Sequence, residues 1–467
     1  MTTRNIVPRT TEEGQIGTTA KKWLKGYFKD LYMGSTPAKC SVEGHAHAQA
    51  DVTNLVTALA GKASTAAATT SAAGLSLVPT RLYARSVKFV RASANTLSTP
   101  AINVELNGAL LTFAAGSIDL NATVSWDAAT YATPANRAGK DFYVYATADG
   151  LILSANATYP TGYTADTSRK VGGFHCLCVA VNHASTLTVW AADTVIAVGQ
   201  TRRATTFDGY IYRCTAVEGT AKTHAATEPT WSGVAVGGTV VDNEVTWLKE
   251  VHALEGFAAG DILPASVWDL GHRPICSPEG MVWSEAAGIW VDIYLQSGTG
   301  ALTKSANSGT ITDTRNWMDF VDDLGAVGKR LLDDGEFQRI AEGCNQETNI
   351  SGSADPGTTT GHVDTAGRRM VSNIGCEDCA GVLWQWLSDQ SYMNQTDWTN
   401  TWGWYDLSGG KGGLYNYDSS GGRADVKLLA GGNWVNGTNC GSRFRSANCY
   451  RWGALSYIGA RGAAEPF

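Results

Sequence analysis

Charge is scarce in this chain. Only 17% of its 467 residues are Asp, Glu, Lys or Arg, and the net charge is −7. No long Lys/Arg cluster is present, which excludes a nucleic-acid binder, because neutralising phosphates takes a concentrated basic surface. No uncharged apolar run approaches the roughly 20 residues that cross a bilayer. The start MTTRNIVPRTTEEGQ lacks the apolar segment of a secretory signal, so a soluble chain without classical secretion is expected. Ten cysteines are too sparse for a disulfide scaffold at this length, and a reducing cytoplasm keeps most of them as thiols. Cys376 and Cys379 form a single CxxC with no second pair at metal-site spacing. Buried thiols or one structural disulfide fit it better than a zinc site, which needs four ligands.

What the chain does have is glycine and aromatic residues, 52 Gly, 16 Trp and 17 Tyr, a balance that suits turn-rich β structure. Its length implies several domains, each with its own core. The expected architecture is multidomain and mainly β, with few helices.

Residues 1–44 contain GQIGTTAKKWLKGYFKDLYMG, where Trp23, Leu24, Tyr27, Phe28 and Leu31 recur at i, i+3 and i+4 spacing beside four lysines. A short amphipathic helix and a strand pair both fit. In residues 45–80, Val52, Leu55, Val56 and Leu59 form an apolar stripe about two helical turns long, too short to be stable alone, so a partner helix is implied. His45 and His47 lie two apart, on one face of extended backbone, and are candidate metal ligands. Within one chain no carboxylate or cysteine completes a site, and polar loop histidines are the plainer reading. The low-complexity STAAATTSAAGLS that follows reads as a linker.

Residues 81–190 alternate as half-buried strands do, in SVKFV, AINVEL, DFYVYAT and LILSAN, with no visible catalytic constellation. Residues 191–255 form a small β module marked by Tyr210, Tyr212, Trp231 and Trp247. Those aromatics either stack on sugar rings or fill the core of a domain this small. In residues 256–467 two helices are expected. One lies in LLDDGEFQRIAEG, where Leu331, Leu332, Phe337 and Ile340 are apolar and Gly343 is placed as a stop; the other lies within CAGVLWQWLSDQ. Strands should dominate the rest, especially KLLAGGNW and SYIGARG.

Several of these segments resemble known families. The first stretch is similar to attachment regions of phage tail fibres, GHAHAQADVTNLVTALAGKAST to their trimeric helical collars, and GKDFYVYATADG with VGGFHCLCVAV to a β module of phage tail proteins. The 191–253 segment resembles a short module of phage structural proteins that is sometimes likened to carbohydrate-binding domains. The run DVKLLAGGNW, followed by CGSRFRS, CYRW and IGARG, resembles the variable proteins of diversity-generating retroelements, the phage tropism determinants among them, over about 200 residues.

That resemblance implies a C-type lectin-like α+β domain at 256–467, related in fold to formylglycine-generating enzymes, carried by a homotrimeric tail-fibre protein. It also implies adhesion to a host surface receptor, protein or glycan, and contact with other tail proteins. A variable region at about 432–462 would display Val435, Asn436, Thr438, Phe444, Ser446, Asn448, Cys449, Gly453, Leu455 and Tyr457 outward. The scaffold between them would be Trp434, Gly437, Cys440, Gly441, Arg443, Arg445, Tyr450, Arg451, Trp452, Ile458, Gly459 and Arg461. Asn436 and Asn448 suit the asparagine codons that such retroelements rewrite. From Gly432 to Phe467 there are four arginines against one glutamate, a balance favouring anionic or sugar-rich targets unless the arginines are buried.

A purely structural tail or baseplate component is the second reading, which leaves the mixed residues after Gly432 unexplained, and catalysis is a weaker expectation than either. The related copper-dependent oxidase needs two cysteines; one corresponds to Cys440, but Asn436 stands near the other position and Cys449 is out of register. A depolymerase needs two carboxylates flanking the scissile bond, and no spacing singles out a pair among Asp333, Asp334 and Glu336. His362 and Asp364 lack an identified nucleophile, and Asp355 and Asp364 are candidate calcium ligands without an EF-hand run. No enzyme activity, required cofactor, nucleic-acid partner or membrane insertion is expected.

Overall fold

The computed structural model describes residues 32–33, 38–39, 89–183, 187–393, 401–406, 413–418 and 424–467. The chain divides into two compact units, residues 1–68 and 69–467. In the first, strand β1 (Tyr32–Met33) pairs antiparallel with β2 (Ala38–Lys39). The collar stripe, His45, His47 and the linker lie outside the described residues.

The second unit begins with two small sheets. Strands β3 (Val90–Ser93), β4 (Thr96–Thr99) and β7 (Gly116–Asp119) form one, and β5 (Ile102–Leu106) with β6 (Ala109–Phe113) form a hairpin. The hairpin turn is Asn107-Gly108, with φ of 48° and 78°. Positive φ at both residues matches the twist of the flanking strands, which is why Asn-Gly closes it.

Next come β8 (Asp141–Thr147), β9 (Gly150–Ser154) and β10 (Ser168–His175), in a sheet completed by β15 (Trp268–Asp269). DFYVYAT serves two cores at once. Phe142, Val144 and Ala146 pack with Leu97, Val104 and Trp126 on one face, while Tyr143 and Tyr145 meet Trp268, Met281 and Trp290 on the other. Alternation here separates two apolar environments, not core from water. Arg137, fully buried, ties this half together: it donates to the carbonyls of Leu120 at 2.9 Å, Tyr131 at 2.9 Å and Gly260 at 3.2 Å.

The small module is an insertion. Val181 N–H donates to the Phe257 carbonyl and Gly256 N–H returns a bond to Val181, each at 2.9 Å, so the chain leaves and re-enters at one place. Leu177, Val181, Leu254 and Leu263 on these two segments belong to the core of the C-terminal domain, with Val282, Val291, Phe337 and Leu387. The module itself is a sheet of β11 (Thr201–Arg202), β12 (Ile211–Val217), β13 (Thr239–Asp242) and β14 (Val245–Glu250) around Tyr212, Cys214, Trp231 and Trp247.

The C-terminal part contains β16 (Met281–Ser284), β17 (Ile289–Asp292), β18 (Gln296–Ser297), β19 (Lys304–Ser305) and β20 (Arg330–Leu331). After these come β21 (Trp384–Met393), β22 (Thr401–Asp406), β23 (Gly413–Asp418), β24 (Ala424–Gly431), β25 (Gly441–Tyr450), β26 (Ile458–Gly459) and β27 (Gly462–Ala464). One sheet runs β16-β17-β27-β20, the other β22-β23-β25-β24-β21-β26.

Two helices accompany them. Helix Asp334–Ile340 falls where the sequence placed it, opened by a reciprocal Asp333/Glu336 capping box. The helix expected within CAGVLWQWLSDQ is instead β21, an interior strand. Cys379 to Leu387 are all buried, and a run apolar on every side carries no period that separates helix from strand. The second helix is Trp317–Ala326, capped by Asn316 and Asp319, with Phe320 and Leu324 packed on Trp384, Trp386, Leu429 and Ile458.

Arg461, 1% exposed, fastens the C-terminal core. It donates to the carbonyls of Asp292, Ile293 and Glu377 and to the side-chain oxygen of Gln385. Nearby, Asp292 is paired with Lys329, both almost fully buried. Burial pushes the Asp292 carboxyl up against the pull of Lys329.

Candidate functional site

The segment from Gly432 to Gly462 is built around β25, which lies between β23 and β24. A strand inside a sheet has neighbours at both edges and here also cover over its faces. Arg445, Ser446, Ala447 and Cys449 are buried, and Phe444, Leu455 and Tyr457 are half-buried against Phe320, Trp384 and Leu429. The expectation that all ten exchangeable positions face outward is therefore corrected. Ser446 and Cys449 lie inside, where the Ser446 hydroxyl donates to Asn448 Oδ1 at 2.6 Å and burial pushes the Cys449 thiol up to about 12. A mixture of residue types along a strand does not by itself report exposure.

Ahead of β25, Asn433 to Cys440 form a tight loop that the backbone dictates. Gly432 has φ of +85°, and a Cβ there would stand 2.8 Å from both the Asn439 carbonyl and the Cys440 sulfur, so only glycine fits. Gly441 is constrained by its φ of +154°, and a Cβ there would also displace the Gln346 side-chain oxygen. Asn436 accepts from the Asn433 N–H at 2.8 Å and so holds the loop together. Trp434 is half-buried and packs against Leu295, Ile311 and Leu383. What this end offers solvent is Val435, 63% exposed, and Thr438.

At the other end of β25 the exposed groups are aromatic. The Tyr450 and Trp452 rings lie parallel, 5.1 Å apart with an interplanar angle of 1°, and Trp452 is 62% exposed. Gly453 turns the chain just after them, its N–H donating to the Tyr450 carbonyl at 2.9 Å. Sequence reasoning put both aromatics in the scaffold; the structure puts them outside. In CYRW they stand two apart, and the turn that Gly453 closes brings the two rings together. At about 3.3 Å per residue, the ten residues of β25 set this aromatic end roughly 30 Å from the Val435 end.

The arginines divide as well. Arg443, expected in the scaffold, is exposed and Arg451 is half-buried, while Arg445 and Arg461 are interior. Arg445 is ion-paired with Asp334, and burial lowers its pKa against that pull. The positive charge available to a partner is thus about half of what the sequence count suggested.

Catalytic and metal candidates are occupied by structural work. Asp333 and Glu336 cap a helix and Asp334 holds Arg445; Glu336 also accepts from Arg330 at 2.7 and 2.8 Å. His362 pairs with Asp378 at 2.8 Å, not with Asp364; burial depresses it, but the Asp378 carboxylate outweighs this and the net shift is upward. Asp364 accepts from Arg368 Nε at 2.9 Å, Thr348 Oγ1 at 2.7 Å and the Ala366 N–H at 2.9 Å, so its oxygens organise a loop. Asp355 accepts from the Gly357 N–H. Among the described residues no group of three or more His, Cys, Asp or Glu is placed to hold a metal ion. Cys376 and Cys379 are free and buried. Cys440 is likewise a free buried thiol, raised to about 12 by burial.

Comparison with known proteins gives concordant matches. The family model described as Mtd second domain matches residues 92–201, the region of the Arg137 network and the two-core strand β8. The tail fiber receptor-binding protein of Bordetella phage BPP-1 is 26% identical over 411 residues, covering 81% of this chain and 82% of that protein. Among solved structures, the major tropism determinant U1 variant is 25% identical with a TM-score of 0.50, covering 82% of this chain and 84% of that one. The I1 variant, 24% identical with a TM-score of 0.51, shows the same fold over 82% of this chain. With the C-terminal sheets and the glycine-fixed loop ahead of β25, these matches make the chain similar in sequence and fold to the phage tropism determinants.

Proposed function

We propose that this chain is a receptor-binding protein of a phage tail fibre, located in the virion tail, which adheres to a bacterial surface through the solvent-facing residues around β25. The observation that carries this reading is the Tyr450–Trp452 stack, open to solvent beside a strand whose Arg445, Ser446, Ala447 and Cys449 are buried. Exposed Trp and Tyr are the side chains that most often dominate binding energy, because they bury much area at small entropic cost. Arg443 and Val435, also exposed, enlarge the surface available to a partner.

The same reading makes the chain non-enzymatic, with no cofactor taking part. Its support is that Asp333, Asp334, Glu336 and His362 are committed to caps and ion pairs, and that the relatives are named for binding. The reading includes a homotrimer attached to other tail proteins through its N-terminal part, supported by the resemblance of residues 1–80 to tail-fibre attachment and collar regions. Three linked heads multiply a weak single contact by raising the effective concentration of the second and third. Retroelement diversification, in this reading, acts on exposed positions such as Val435 and Thr438 and spares the interior ones.

Purified full-length chain should behave as a trimer, bind host cells, and block adsorption of the phage that carries it. Failure to bind any cell that the phage adsorbs to would overturn the proposal.

A further inference from the structure

The inserted module meets the rest of the chain at a second place, apart from the junction at Val181 and Phe257. Its turn Ala197–Gln200 is closed by the Gln200 N–H on the Ala197 carbonyl at 3.1 Å and by the Gly199 N–H on the Cys214 carbonyl at 2.8 Å. Gly199 has φ of +92°, and a Cβ there would stand 2.4 Å from Glu347 Oε2, so the turn lies directly against the Glu347 carboxylate. Glu347 also donates its N–H to the Cys440 carbonyl at 2.7 Å, and the Gln346 side chain accepts from the Ser442 N–H at 3.2 Å. One residue thus touches both the module and the entry to β25.

Glu347 is held there at a cost. Its φ is +59°, a conformation that side chains other than Asn and Asp rarely adopt, and such strain persists only where the surroundings impose it. The residue is exposed, and its carboxylate accepts no hydrogen bond among the described residues. The guanidiniums near it are engaged elsewhere, Arg213 with Glu250 and Arg368 with Asp364. Next to Gly199 in the chain is Val198, 51% exposed, and next to Ser442 is the exposed Arg443.

The Cys440 carbonyl that Glu347 holds ends the loop carrying Val435 and Thr438, so the surface around β25 continues across Glu347 onto the module. Valine has no flat ring for the C–H face of a sugar and no polar group for its hydroxyls, and a carboxylate repels a phosphate or an acidic glycan. An exposed aliphatic side chain beside an acid with free lone pairs and an exposed base matches the mixed apolar and charged surface of a folded protein. Given the receptor-binding role proposed above, on which this inference rests, we propose that Val198 and Glu347 form a fixed contact area for the same host receptor that the β25 surface binds, a protein presenting an apolar patch beside a Lys or Arg. The receptor's apolar patch covers Val198, and its cation donates to the Glu347 carboxylate. Side chains at Val435 and Thr438 can then be exchanged while this contact stays constant.

The test measures binding of full-length chain to host cells, with thermal unfolding followed for each variant. Val198→Asp should weaken binding about tenfold and Glu347→Gln about threefold, both at an unchanged melting temperature because the two side chains are exposed. Val241→Asp is the control: Val241, 67% exposed, lies on β13, at the edge of the module's sheet opposite β11, and its variant should bind as the wild type does. Trypsin treatment of the cells should abolish binding, and periodate treatment should leave it. Wild-type chain that binds no host cell overturns the receptor-binding role itself. With wild-type binding intact, undiminished affinity in either Val198→Asp or Glu347→Gln overturns this contact area alone, as does an equal loss in Val241→Asp. Binding that survives trypsin and falls with periodate makes the receptor a glycan and overturns it as well.

Discussion

The two ends of β25 offer a partner different chemistry. The Val435 end is a loop pinned by glycines and by Asn436, and it exposes one aliphatic and one hydroxyl side chain. The Tyr450 end exposes a stacked aromatic pair whose backbone is held by pairing with β24, by the Trp317 N–H on the Arg451 carbonyl and by the turn at Gly453. Between them Arg445 to Ala447 are interior. The difference teaches that exchangeability and binding strength need not sit together: a rigid loop can accept any side chain at Val435 or Thr438 while affinity is concentrated at Trp452.

Three substitutions sharpen that comparison. The largest effect belongs to neither end. Arg461→Ala removes the donor to three buried carbonyls and the Gln385 oxygen, of which the Ile293 carbonyl keeps the Glu377 N–H, and should cost about 3 kcal/mol of stability, seen as a fall in urea midpoint and loss of cell binding together. Next, Ser446→Tyr forces a ring into the closed middle of β25 and should destabilise by about 1–3 kcal/mol, whereas an outward-facing Ser446 would accept it freely. The smallest is Val435→Asp, expected to shift stability by no more than about 0.5 kcal/mol, because its side chain is 63% exposed. A collapse of thermal stability there would mean that the loop, too, is part of the core.

How far these features were legible follows from the physics of each segment. DFYVYAT reads as a strand, and is one, since alternation and β-branched or aromatic content agree. That both of its faces are buried was not readable, because the second core comes from Trp268, Met281 and Trp290, more than a hundred residues on. CAGVLWQWLSDQ was misread as helical since a uniformly apolar run has no period to betray its type. The helix at Trp317–Ala326 went unnoticed among its acids, although Asn316 and Asp319 spell out its cap three residues apart.

In the candidate site the glycine loop was legible: Gly432 stands where a side chain has no room, and Gly441 where φ is positive. Exposure was not. Ser446 and Trp452 were assigned opposite to their burial, because composition suggests a small polar residue is outside and a tryptophan inside, while tertiary cover decides both.

The central claim is that recognition energy resides at the aromatic end of β25, and Trp452→Ala measured in parallel for folding and for binding to host cells tests it most directly. The account predicts a stability change within about 0.5 kcal/mol and a loss of roughly 2 kcal/mol or more in binding, about thirtyfold. Native-level cell binding by Trp452→Ala, with binding abolished by Val435→Asp instead, would contradict it and move recognition to the other end of the strand.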